Sequence, residues 1–335
     1  MRVFRGTFFR VALFTVLAAV GAQTTHAATP DWVTAPVVPV LGKRDQARLK
    51  ARVSAGMALG LREGVFAKVG DSNTEFSPNF YGLACREPAA LPARLRPTLA
   101  RYNRVRIPNP RALPGCFPDT SFSRRSAAAQ AGVFSSWSLT TIKDLPDESY
   151  WRKPPGCDLE STPLDCEIDA TRPRYALVTL GTNDLGMDLA FGSLPGSLIG
   201  QRLGGVIRRL LSRGVVPVLT TIPPILRQDP GEQPVFDAGV ARTNAGIWKL
   251  SRSYRLPLVN LWRAMQAPFM IHRGLADDGL HFSVAGAGRT MIGNTPGPTT
   301  LSDSVDFRRK ALRYGANRHN LIWLKTLARL DRITR

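Results

Sequence analysis

Between residues 175 and 261, short apolar runs alternate with longer amphipathic stretches, and this alternation restricts the fold more than any other feature of the chain. Residues 175–180 ("YALVTL") lie between Pro173 and Gly181, residues 215–222 stop at Pro223-Pro224, and residues 256–261 form a third run. Uninterrupted apolar runs of this length suit strands buried on both faces. Between them, residues 198–211 place Leu203, Val206, Ile207, Leu210 and Leu211 on one helical stripe closed by Gly214, and residues 235–254 read as helix. Strand and helix at βαβ lengths predict an α/β protein with a mostly parallel sheet covered on both faces. Ligands of such sheets sit at the carboxyl ends of the strands.

Upstream, a Pro-rich lead ("TPDWVTAPVVPV") precedes residues 43–62, where Leu49, Val53, Met57 and Leu61 recur at helical spacing. The apolar run 65–69 follows and ends abruptly in Gly70-Asp71-Ser72-Asn73-Thr74, a turn composition that also holds a hydroxyl. Residues 73–119 are rich in Pro, Arg and Asn, which predicts a long irregular excursion of the kind that walls binding clefts. No internal repeat is evident. With 335 residues, 44% of them hydrophobic, the chain can bury one large domain or two smaller ones.

The first residues have the layout of an export signal: Arg2, Arg5 and Arg10, then an apolar run over 11–22, then small residues, with Thr25-His26-Ala27 or Val20-Gly21-Ala22 as the cleavage box. The run is shorter than the ~20 apolar residues of a membrane-spanning helix, and no later segment is long and apolar enough to span. The expected division is an export signal over 1–27, a lead and helix over 28–62, and the main domain over 63–335, in a secreted or periplasmic protein. Oxidising surroundings allow the four cysteines to pair, and three pairings are possible. Cys157 and Cys166 enclose the short loop "DLESTPLD", which favours that pair and leaves Cys85 with Cys116. Metal binding fits these cysteines poorly, since there is no C-x-x-C and no histidine nearby.

The formal charge is +20, or +17 once the three leader arginines are removed, with a basic cluster in the tail 307–335. Such a field attracts polyanions, and an anionic envelope surface is the partner that an exported basic face would meet. Nucleic acid is not an expected partner: there is no zinc-finger spacing, helix-turn-helix or aromatic-studded RNA-binding strand.

A serine hydroxyl becomes a nucleophile only when a base takes its proton, and that base needs an acceptor to orient it. In "LADDGLHFSVAGAG", Asp278 precedes His281 by three residues with a glycine between, a spacing that can bring the carboxylate onto one imidazole nitrogen and leave the other for Ser72. Asp277 is a lesser candidate for that role. Asn183, in "GTND" after the strand at 175–180, could offer its amide to a developing oxyanion, with the Ser72 N–H as a second donor. His272 reads as a surface or packing residue, and His319, in the basic tail, as part of a solvated face. Most of the tryptophans read as core, although Trp137 and Trp151 could border a substrate site. The chain contains no Gly-x-Ser-x-Gly elbow and too few histidines for a metallophosphoesterase.

Together, "VGDSNT", "LVTLGTNDL" and "DDGLHFSVAG" resemble the first, third and fifth sequence blocks of the SGNH, or GDSL-type, hydrolase family. The resemblance runs from about residue 65 to 287. It implies a three-layer α/β/α sandwich of flavodoxin-like order with a five-stranded sheet, and ester hydrolysis without a cofactor or metal. It also implies Ser72 as nucleophile, His281 as base, Asp278 as its partner, and Ser72 and Asn183 as oxyanion donors. The family's second block supplies a glycine N–H to the oxyanion hole. Its best match here, "SRRSAAAQAG", puts Ala129 at that position, with Gly132 as the fallback. The expected substrate is a carboxylic ester, with acylated polysaccharides and lipids among the compatible classes. Transfer of the acyl group to a sugar hydroxyl, and a catalytically silent glycan-binding role, remain open alternatives.

Overall fold

A computed structural model of the chain describes residues 31–146, 152–293 and 298–335. The export signal expected over 1–27, and Trp151, lie outside the described residues. In chain order the main elements are α1 (Lys43–Ala58), β1 (Arg62–Gly70), α2 (Ser72–Glu75), α3 (Arg96–Arg104), α4 (Pro163–Thr171), β2 (Pro173–Thr179), α5 (Thr182–Ala190), α6 (Ile199–Ser212), β3 (Val216–Thr220), α7 (Gln233–Tyr254), β4 (Leu258–Val259) and α8 (Gly315–Thr334). The four strands pair in the order β1-β2-β3-β4, all parallel.

Strand side chains alternate between two apolar layers. Phe66, Tyr175, Leu177, Val216 and Val218 enter one layer with Leu49 and Val53 of α1, Tyr102 of α3, and Trp323, Leu324 and Leu327 of α8. Ala67, Val69, Ala176, Val178 and Leu219 enter the other with Ile168 of α4, Leu203, Val206, Ile207 and Leu210 of α6, and Ile247 of α7. The period-two pattern of the strands and the stripes of the helices therefore produce three layers, each buried leucine or phenylalanine contributing about 1.5–3 kcal/mol.

Five strands are expected and four are paired among the described residues. The free edge of β1 carries a single parallel bridge between Gly70 and Ala129, in which Gly70 N–H donates to the Ala128 carbonyl and Gln130 N–H to the Gly70 carbonyl, both at 3.1 Å. Further down that edge side chains replace the ladder: Phe66 N–H donates to Ser121 Oγ and Lys68 Nζ to the Phe122 carbonyl, each at 2.9 Å. The segment turns there, with Arg124 N–H on the Thr120 carbonyl, so one rung remains.

Three other expectations need adjusting. The excursion 73–119 contains the helix α3 and the turn α2 as well as irregular chain. His319 is fully buried between Phe80 and Phe282, because α8 turns an apolar face, not a solvated one, toward the sheet. Trp137 packs inside a small cluster with Val133, Ile142 and Leu145. Cys85 pairs with Cys116 and Cys157 with Cys166, as the spacing predicts.

Candidate active site

The segment after β1 leaves the sheet through a close approach that only glycine permits: a Cβ on Gly70 would run into Thr74 Oγ1 and the Thr179 carbonyl. Asp71 then caps the next turn, its Oδ1 accepting from Asn73 N–H at 3.0 Å. Ser72 opens α2 at the rim of the sheet, half-buried.

The 276–283 segment folds as a tight turn that returns on itself, Ala276 N–H donating to the His281 carbonyl at 2.7 Å. Gly279 adopts φ +70°, and a Cβ there would strike the Leu226 carbonyl. Leu226 N–H in turn donates to the Gly279 carbonyl at 2.9 Å, which ties the turn to the chain following β3. Within it, Asp278 Oδ1 accepts from the N–H groups of Leu280 (3.0 Å) and His281 (3.1 Å), so the carboxylate is fixed by the backbone before it meets the ring. Its Oδ2 lies 2.5 Å from His281 Nδ1, and His281 Nε2 lies 2.7 Å from Ser72 Oγ. Hydroxyl, imidazole and carboxylate stand in series.

Two side chains that the sequence reading did not single out hold this series together. Asn73 straddles His281: its Nδ2 donates to the Leu280 carbonyl at 3.1 Å and its Oδ1 accepts from Phe282 N–H at 3.3 Å. Phe76 stacks on the imidazole, ring centroids 4.7 Å apart. Both lie within one turn of Ser72, which is the local signal that could have revealed them. Asp277 is exposed and pairs with Arg289 at 3.1 Å, away from the ring.

Electrostatics separate the carboxyl groups. Partial burial pushes Asp278 upward, but the hydrogen bonds from the His281 ring and from two N–H groups outweigh it and bring the group down to about 2. Burial raises Asp71 to about 7 and Asp184 to about 6, against the hydrogen bonds each accepts.

Asn183 stands in the first turn of α5, with Nδ2 donating to the Val133 carbonyl at 2.9 Å. The buried Asp184 beside it accepts from Ser135 N–H (3.1 Å) and Oγ (2.9 Å), which clamps the 133–135 segment to α5. Ala129 N–H is directed to the Ser126 carbonyl at 3.5 Å, away from β1, because its neighbours Ala128 and Gln130 make the rung to Gly70. Gly132, at φ +78°, lies just beyond that rung and next to Val133. Glu75 Oε2 holds the adjoining Ala131 N–H at 2.7 Å. His272 is exposed, and among the described residues no group of three or more His, Cys, Asp or Glu is disposed to hold a metal ion.

The series thus stands at the carboxyl ends of the strands of an α/β/α sandwich. Residues 150–289 match the GDSL-like Lipase/Acylhydrolase family. The matched region includes Asn183, Asp278 and His281, and Ser72 lies ahead of it. Among solved structures the chain is similar to the lipase/acylhydrolase from Enterococcus faecalis, at 17% identity over 66% of this chain and 88% of that one, TM-score 0.41. It is also similar to a carbohydrate esterase family 3 protein from Talaromyces cellulolyticus, at 16% identity over 72% and 93%, TM-score 0.40. No curated protein matches the chain.

Proposed function

We propose that this protein is an exported serine esterase acting on carboxylic (acyl or acetyl) esters. The observation that carries the reading is the unbroken series from Ser72 Oγ through His281 to Asp278, at 2.7 and 2.5 Å. In this reading Ser72 Oγ attacks the ester carbonyl while His281 Nε2 takes its proton. Asp278 keeps Nδ1 protonated and stabilises the imidazolium that forms. The oxyanion receives the N–H of Ser72, which a first-turn position leaves outside the helical bonding, and the second hydrogen of the Asn183 amide, since only one is given to Val133. The backbone donor of the second block is assigned to Gly132 in preference to Ala129, because Ala129 N–H already faces Ser126. His281 returns the proton to the leaving alcohol, then activates a water that releases the acid from acyl-Ser72. No metal or cofactor enters any step.

Two disulfides support folding in an oxidising compartment, in keeping with export. The test is hydrolysis of p-nitrophenyl acetate by the wild-type protein and by Ser72→Ala. The variant should lose activity to background, and a fluorophosphonate should label the wild type at Ser72 alone. Equal rates from the two proteins would overturn the assignment.

A further inference from the structure

A second feature shares no lining residue with the hydroxyl–imidazole series. A cavity of about 390 Å³ opens between the 108–111 chain, the 124–127 chain, and the 154–157 loop that the Cys157–Cys166 disulfide fixes to α4. Arg111, Arg124 and Arg125 line it, and among the described residues no acidic side chain does.

The three arginines are not equivalent. Arg124 is neutralised by Glu167, with bonds of 2.9 Å from Nε and from Nη2, and Arg125 by Glu75 at 3.0 Å. Both carboxylates sit behind the wall. For Arg111 the described residues supply only a carbonyl, that of Ser126 at 2.9 Å from Nη2, and no carboxylate. Arg125 Nε is buried without a hydrogen-bond partner. Burial, and then the neighbouring Arg125, press the Arg111 guanidinium downward, and Glu75, already paired with Arg125, offsets them only in part.

We propose that this cavity is a binding site for an oxyanion, a carboxylate or sulfate, carried on a body the size of a sugar ring, with Arg111 as its principal anchor. The planar fork of arginine suits two-oxygen recognition of such a group. The volume exceeds what a bare ion needs and falls in the range of small-ligand sites. Pro108, Pro110, Pro154 and Pro155 give it flat apolar walls against which a ring can lie. The proposal does not depend on the esterase reading, because none of these residues belongs to the proposed chemistry.

Titration calorimetry of the full chain with D-glucuronate, glucose 6-sulfate and glucose tests it. At least one of the two anionic sugars should bind saturably, glucose should not, and the one that binds more tightly identifies the oxyanion. Arg111→Gln should weaken that binding by about tenfold or more, the worth of a charge-assisted pair. Ala170→Glu, on the helical wall, places a competing carboxylate in the cavity and should abolish it, and this variant decides the matter if Arg111→Gln does not fold. Ser72→Ala should bind as the wild type does, whatever becomes of its esterase activity. Binding of neither anionic sugar, equal binding of glucose, or wild-type binding in a folded Arg111→Gln or Ala170→Glu protein would overturn the proposal.

Discussion

Asp278 is held by three hydrogen bonds and lowered to about 2, so the group stays ionised at any pH at which the protein would work. Its proposed contribution is therefore constant, and an acid limb in the activity profile belongs to another group. Replacing it by Asn keeps the shape but can pair Nδ1 as an acceptor, the wrong tautomer for a base facing Ser72. Asp278→Asn should lower kcat on p-nitrophenyl acetate by about 10³–10⁴-fold while far-UV dichroism stays unchanged. A loss below tenfold would remove Asp278 from the mechanism. In the proposed mechanism Asn183 acts at the other end, on charge that develops only during reaction. Asn183→Ala should therefore lower kcat by about 10²-fold with little change in KM. A pure KM effect would mean that the amide binds ground-state substrate instead.

The turn α2 carries two functions in four residues: it presents Ser72 and, through Asn73, grips the backbone on either side of His281. Asn73→Ala should leave the proposed nucleophile intact but loosen its distance to the ring, lowering both kcat and the rate of fluorophosphonate labelling by roughly 10- to 100-fold. Wild-type labelling in that variant would make Asn73 a packing residue only. What was legible beforehand follows the same division between near and far. The strands β1 to β3 could be read because each is a local apolar run, and the Asp278–His281 pair because three residues suffice to build it. The grip of Asn73 on 280–282 spans more than 200 positions and leaves no local trace. That only four strands pair among the described residues was equally unreadable, since one rung at Gly70 and a serine hydroxyl replace a ladder. α8 misled for another reason. Its arginines and lysine set the charge of the tail, yet they share the helix with Leu321, Ile322, Trp323, Leu324, Leu327 and Leu330, and the apolar face decides where it packs. The end of α8 is fixed by the buried pair Arg174–Asp331 at 2.6 Å, with Tyr102 donating to the same oxygen. Arg174→Met would leave that carboxylate with Tyr102 and the longer pair to Arg101 at 3.5 Å, and urea denaturation should show a loss of about 1–3 kcal/mol.

At the scale of the whole molecule, buried titratable groups set opposing dependences of stability on pH. His319 lies within the layer that joins α8 to the sheet, where its Nε2 accepts from Trp323 Nε1 at 2.9 Å and burial lowers it from 6.5 to about 3. The folded state therefore holds a neutral ring that the unfolded chain would protonate. The stability this represents is complete above the unfolded value of 6.5 and is lost progressively as pH falls toward about 3. Asp71 and Asp184 act in the reverse sense. Burial raises them to about 7 and about 6, so their contribution is complete below the unfolded value of 3.8 and is lost as pH rises through those two values. Acidification thus weakens the α8 layer while relieving the buried carboxyls behind Ser72 and Asn183. His319→Gln keeps an acceptor for Trp323 and removes the titration. Between about pH 7 and about pH 4 its melting temperature should fall less steeply than that of the wild type, with the gap opening below the unfolded histidine value. Parallel curves would show that His319 is not the group through which acid loosens the molecule. Asp71→Asn completes the test, because it should gain on the wild type as pH rises from the unfolded value of 3.8 to about 7, where only the unfolded chain ionises, and keep a constant lead above that.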